Sequence, residues 1–213
     1  MEHGLVSAPP QTPPEKLGET QLERMLSDRP EMRPFITRGD AVWNWCVKQF
    51  AGGDTKIPID WSSVPPMEPN VESESGPGDL SHHGEISVRR IATIGLHTDS
   101  PRYGEDMWGN VIFELCNAQL YREHKAVSQW AYTAHPSKQE YIRRSAYVEY
   151  LAAVRTKRFY DSLWKPNMDR LGIHSRPYNL CWNVGISDQF DEWLRNVDTS
   201  GYAKDFEADV NFR

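Results

Sequence analysis

The chain is predicted to be an α+β protein, mainly α, in which a long antiparallel helical hairpin (about residues 105–134 and 138–164) packs on a small sheet and short helices. Three observations carry this reading. Two long stretches with apolar residues at helical spacing are joined by a short connection at Pro136. Two short runs rich in isoleucine and valine, Ile57–Trp61 and Glu85–Leu96, precede them. Strands and helices do not alternate in the way a doubly wound sheet requires.

The elements follow in order. Pro9, Pro10, Pro13 and Pro14 lie among small and charged residues, so residues 1–30 read as an extended arm, interrupted at most by a short helix from Thr20 to Leu26. The domain proper is expected over 31–213. Residues 40–50, DAVWNWCVKQF, place Val42, Trp43, Cys46, Val47 and Phe50 at helical spacing behind Asp40 as N-cap, and Gly52-Gly53 stops the helix. Ile57–Trp61 is a short strand whose Pro58 favours a sheet edge. Residues 62–84 are rich in Pro, Ser, Gly and acid and read as a long flexible acidic loop. Ile86 and Val88 alternate in the next strand. The first long helix carries Trp108, Val111, Ile112, Leu115, Val127 and Trp130. Ser137 to Glu140 forms a capping box that opens the second, and Pro166 closes it. A third helix is expected from Ser187 to Asn196, and the last dozen residues fray or pair as a strand.

Composition narrows function. The 213 residues carry 24 Lys and Arg against 30 Asp and Glu, a net charge of −6, which argues against a binder of nucleic acid held by phosphate contacts. Mean hydropathy is −0.67, yet 8 Trp, 9 Tyr and 7 Phe suffice for a core. No apolar run approaches the ~18 residues of a membrane span. The start, MEHGLVSAPP, lacks the basic region and apolar stretch of a signal peptide. Three cysteines at wide spacing, Cys46, Cys116 and Cys181, form neither a disulfide framework nor a CxxC pair. They suit a reducing compartment, and a cytoplasmic location is expected.

On the hairpin, Met107, Val111, Glu114, Ala118 and Tyr121 share one face, and Ile142, Ala146, Glu149, Ala153 and Thr156 share another. Two acids are thereby turned inward on adjacent helices. A buried acid requires a partner or a raised pKa. The candidate partners are Asn117, His124, Arg143 and Arg155, and the alternative to simple pairing is a two-carboxylate site for a metal or for acid–base work. A di-iron bundle would require Glu-x-x-His motifs, and none is present.

Phe113-Glu114-Leu115-Cys116-Asn117 resembles the metal-binding helix of zincin metallopeptidases with both histidines replaced. In the intact His-Glu-x-x-His motif two imidazoles bind zinc and the glutamate activates water. Glu114 falls at the general-base position, Phe113 and Asn117 at the ligand positions, and Glu149 resembles the downstream glutamate of the gluzincin branch. The stretch 108–164 is similar to peptidase-like or toxin-associated domains of bacterial proteins. The resemblance implies a scaffold that has lost its zinc ligands. Its rival implication is a hydrolase with Glu114 as catalytic base and with Glu149 and Asn117 on a harder divalent metal.

Other candidates yield to plainer readings. Cys46 lies inside its helix, away from the N-terminus that would activate a thiol. His82-His83 sits in the acidic loop, and Arg89-Arg90 and Arg143-Arg144 suit salt bridges. No glycine-rich phosphate loop occurs. The expectation is a non-catalytic interaction or structural protein that needs no cofactor and works with a protein partner or a second copy of itself. The alternative is a metal-dependent, peptidase-like hydrolase.

Overall fold

The computed structural model describes residues 13–64, 73–76, 84–88, 102–177 and 179–211. The fold is α+β and mainly α, as the sequence predicts. Helix α1, Pro14–Asp28, packs against α2, Ala41–Phe50, with a 3₁₀ turn, Pro30–Phe35, between them. Asp40 caps α2 by accepting the Trp43 N–H at 2.8 Å. A three-stranded sheet has the order β1 (Ile59–Trp61), β3 (Gly84–Val88), β2 (Ser73–Gly76), with β1 parallel and β2 antiparallel to the centre. β1 is therefore an edge strand, as Pro58 predicts.

Two sequence expectations for this half are corrected. Residues 14–28 are no extended arm but a helix whose Leu22, Met25 and Leu26 are buried. Pro14 takes the first helical position, where its missing N–H costs nothing, and Glu15 suits the positive end of the dipole. Proline density alone had suggested an arm, and residues 1–12 lie outside the described residues. The acidic stretch 62–84 contains strand β2, whose Ser-Glu-Ser-Gly sequence has no strand signal of its own and is placed by pairing with β3. Its residues 65–72 and 77–83, and residues 89–96 of the strand that the sequence extends to Leu96, lie outside the described residues.

The hairpin runs antiparallel. Trp108 near the start of α3 (Arg102–Ala118) packs on Trp164, with ring centroids 5.7 Å apart. Cys116 near its end lies beside Thr156 of α5 (Lys138–Phe159). Arg144 of α5 lies 3.8 Å over the ring of Trp130 in α4 (Tyr121–Ala134). Contacts thus climb α3 and α4 as they descend α5. The first arm is not one helix, because the chain turns at Gln119 and Leu120. Leu120 is fully buried and Gln119 is held by Gln49 of α2, so tertiary contacts impose a break where the local sequence is helix-compatible. His135, left-handed at φ 50°, ends α4, and the Ser137–Glu140 capping box starts α5.

The second arm also departs from expectation. Beyond α5 the chain widens into a π-helical turn, Tyr160–Trp164, and continues as α6, Lys165–Arg170, through Pro166. The wider turn leaves Pro166 in the first turn of α6, where proline is tolerated. Three short helices follow: α7 (Asn179–Trp182), α8 (Phe190–Leu194) and α9 (Ser200–Asn211). α8 is shorter than predicted and Ser187 is not its cap, although its hydroxyl accepts the Gln189 N–H at 3.1 Å. The expected terminal strand is helix α9, started by Asp198, which accepts the Ser200 N–H at 2.9 Å.

Close backbone approach sets the α1–α2 contact. A Cβ on Gly18 would lie 2.2 Å from the Val47 carbonyl oxygen, whereas one on Gly201 in α9 meets nothing within 4 Å. Gly18→Ala should therefore cost about 2–3 kcal/mol of unfolding free energy by overpacking. Gly201→Ala should add about 0.5–1 kcal/mol through helix propensity. Guanidinium denaturation checks both, and equal midpoints for the two variants would contradict this packing.

Candidate functional site

The residues singled out by sequence do not gather into one centre. Glu114, on α3, is 4% exposed and engaged in a polar or charged interaction. Asn117, one turn on, places its Oδ1 2.9 Å from His124 Nε2 across the α3–α4 turn. Burial lowers the His124 pKa, partly offset by Glu123, so the imidazole favours its neutral form. Glu149, on α5, accepts the hydroxyl of Tyr202 from α9. The antiparallel register sets Glu149 about nine residues, or ~14 Å along the axis, from the level of Glu114. Asn117 and Glu149 thus bind different side chains from different helices. Among the described residues no group of three His, Cys, Asp or Glu is placed to hold a metal ion.

The cysteines are core residues. All three are buried thiols outside any disulfide. Burial pushes the Cys46 thiol well up, helped by Asp40 and Cys116. Burial also pushes Cys116 up to about 12, against the opposing effects of Thr156 and Arg155. A thiol held neutral is a poor nucleophile. An open groove of about 690 Å³ runs between α1 and the end of β1, floored by Trp61. In it Arg38 pairs with Glu19, and Arg24 donates to the neutral amide of Gln21.

The surface that remains is the outer helical layer. Of the fourteen residues of α4 only Ala131 is buried, and Tyr132 is 71% exposed. On α5, Tyr147 is 47% exposed and packs edge-on to Phe190 of α8, with centroids 5.1 Å apart. Phe190 and Trp193 also cover Tyr150, whose hydroxyl donates to the Ser187 carbonyl at 3.1 Å. Residues 144, 147, 151, 155 and 158 follow helical spacing on the solvent side of α5: Arg144, Tyr147, Arg155 and Arg158 are exposed, and Leu151 is half-buried. The sequence reading assigned Arg143-Arg144 to salt bridges and missed this stripe. The signal was available in the three-and-four spacing of arginine with tyrosine and leucine.

α9 is fastened to α5 at three points. Phe206 packs on Tyr141 with centroids 5.5 Å apart, Lys138 pairs with Glu207 at 2.6 Å, and Tyr202 binds Glu149. Burial raises the Glu149 pKa, and the Tyr202 hydrogen bond opposes this only in part. Burial and the adjacent carboxylate push the Tyr202 hydroxyl up, which keeps it a donor.

The chain matches no known protein family, no characterised protein and no solved structure in comparisons of sequence and fold. No helix among the described residues is long and apolar enough to cross a membrane.

Two measurements check this geometry. A thiol reagent should label none of the three cysteines in the native protein and all of them after denaturation; labelling of Cys46 in the folded state would contradict its burial. For Glu149, the folded pKa lies above the unfolded one, so the folded state binds the extra proton between those values. Its contribution to stability is then greatest at low pH and declines as pH rises through that window. The stability of Glu149→Gln relative to wild type should accordingly increase from about pH 4 to about pH 7. A constant difference would show that the carboxyl titrates alike in both states.

Proposed function

We propose that this protein is a non-catalytic interaction protein whose working surface is the outer layer formed by α4 and α5. The observation that carries the reading is the exposure of large aromatic side chains on two adjoining helices: Tyr132 at 71% on α4 and Tyr147 at 47% on α5. Aromatic rings supply large contact area at low entropic cost and are enriched where proteins meet. α5 is anchored along its inner face by Ala146, Ala152, Ala153, Thr156 and Phe159, so the outer face is presented without further ordering. The buried thiols suit the reducing cytoplasm, which is where this reading places the protein.

Under this reading the zincin-like sequence of 108–164 is a retained scaffold rather than a working peptidase site, and the chain requires no metal. The rival, a divalent-metal hydrolase using Glu114, Asn117 and Glu149, requires Asn117 to leave His124 and Glu149 to leave Tyr202 before they could share an ion. The interaction reading needs no such rearrangement.

The test is a capture experiment with the tagged full chain in an extract of the cells that make it. Tyr132→Ser combined with Tyr147→Ser should lower recovery of a specific partner about tenfold while keeping the helical circular-dichroism signal and cooperative unfolding, with a modest drop in thermal midpoint because Tyr147 packs on Phe190 and Tyr150. Glu114→Gln, if folded, should leave recovery intact. Undiminished recovery with the double tyrosine variant would overturn the assignment of this face. Stoichiometric metal in the purified protein, with a hydrolytic activity lost in Glu114→Gln, would favour the rival.

A further inference from the structure

α5 is a basic helix in an acidic protein. Its 22 residues hold six Lys and Arg but only two Glu, while the whole chain carries −6. Glu149 is committed to Tyr202, and Glu140 to the Ser137 cap with a further attraction to Arg144 one turn on. Three of the basic residues are satisfied by acids of the chain itself. Lys138 pairs with Glu207 of α9 at 2.6 Å, Arg143 with Asp191 of α8 at 2.6 Å, and Lys157 with Asp161 at 2.7 Å. The other three, Arg144, Arg155 and Arg158, are exposed and have no ion-pair partner among the described residues. Asp188 lies near Tyr150 and Lys157, yet it makes no ion pair with Arg158.

The contacts that α5 already makes show how it binds helices. α8 and α9 each dock on it through an aromatic packed beside a carboxylate held by a basic side chain. For α8 these are Phe190 beside Tyr147, and Asp191 on Arg143. For α9 they are Phe206 beside Tyr141, and Glu207 on Lys138. The solvent-facing stripe carries the same residue types: among the described residues Phe190 covers one side of Tyr147, and no carboxylate pairs with its arginines. Tyr147 and Leu151 form its apolar centre, Arg144 braces one end by stacking on Trp130 at 3.8 Å, and Arg155 and Arg158 sit at the other. From Arg144 to Arg158 the stripe is about 21 Å long, the length of a four-turn helix.

We propose that this stripe docks an acidic amphipathic helix of a partner protein, with carboxylates on Arg144, Arg155 and Arg158 and apolar side chains on Tyr147 and Leu151. The proposal rests on the interaction reading above and names the partner's chemistry. Arginine suits the role because its planar fork holds carboxylates in fixed geometry. A short acidic helix gains from the local charge, which acts within a Debye length of about 8 Å at physiological salt, and is little affected by the distant acids. A long polyanion such as RNA would meet the repulsion of the whole chain.

The experiment uses the full chain and a fluorescein-labelled peptide of about 16 residues, ~24 Å as a helix, with Glu and Leu at three-and-four spacing. Anisotropy should report saturable binding that weakens with added salt. Arg155→Glu with Arg158→Glu should weaken it at least about tenfold. The same peptide with Lys in place of Glu should bind the reversed variant and not the wild type. Arg155→Gln with Arg158→Gln gives a milder loss and serves if charge reversal disturbs folding, with the thermal midpoint as the check. Failure of the acidic peptide to bind, equal binding by all variants, or preference for a single-stranded RNA oligonucleotide would overturn the proposal. If the peptide fails while the tyrosine variants still abolish partner capture, the acidic-helix assignment falls and the interaction reading stands. Loss of both results removes the reading itself.

Discussion

The carboxyl group of Glu105 holds together elements that sequence places far apart. It is 2% exposed, in the first turns of α3. One oxygen accepts the Trp164 indole N–H at 3.0 Å and the Ser175 hydroxyl, and the other accepts the Arg176 backbone N–H at 3.3 Å. Tyr160 hydrogen-bonds Ser175 at 2.9 Å and extends the chain. Around this polar centre Trp164 packs on Trp108 and Trp182, with centroids at 5.7 and 4.6 Å. Burying a carboxyl is costly unless its lone pairs are filled, and here each oxygen has a donor. The arrangement fixes α3 against the π-helical turn and so fixes the register of the hairpin.

The π-helical turn follows from the same constraint. Residues 160–164 bring Tyr160 toward Ser175 and Trp164 toward Glu105, and the wider turn lets both reach. Downstream, Asn167 donates to the Phe35 carbonyl at 2.9 Å and Arg170 reaches Asp40 at 3.0 Å, tying the second arm to the start of α2. With its inner side held from Thr156 to Asn167, α5 has its outer side set in direction. The docking stripe is therefore a consequence of core packing, not an independent feature.

The sequence showed the fold class because that depends on local periodicity and capping. Asp40 and the Ser137–Glu140 box are local hydrogen-bond signals, and both act as read. It did not show the break at Gln119–Leu120, which Gln49 and core burial impose from afar. Strand β2 was equally hidden, since only pairing with β3 makes Ser73–Gly76 extended. α9 was legible after all: Asp198 before Ser200, and Tyr202 with Phe206 at four-residue spacing, mark a capped helix with one apolar edge. The inward turn of Glu114 and Glu149 was read from spacing, and both carboxylates are substantially shielded from water. Their convergence could not be read, because it depends on hairpin register, and that is set by Glu105 and the tryptophans.

Equilibrium unfolding of Glu105→Ala tests this account most directly. Removing the acceptor strands the Trp164 N–H in the core, a buried orphan that costs about 1–3 kcal/mol, and leaves the half-buried Ser175 and exposed Arg176 to bind water instead. The predicted result is a loss of about 1–3 kcal/mol together with a diminished near-ultraviolet signal from the tryptophan cluster. An unchanged midpoint and an unchanged aromatic signal would show that the hairpin register does not depend on this carboxyl.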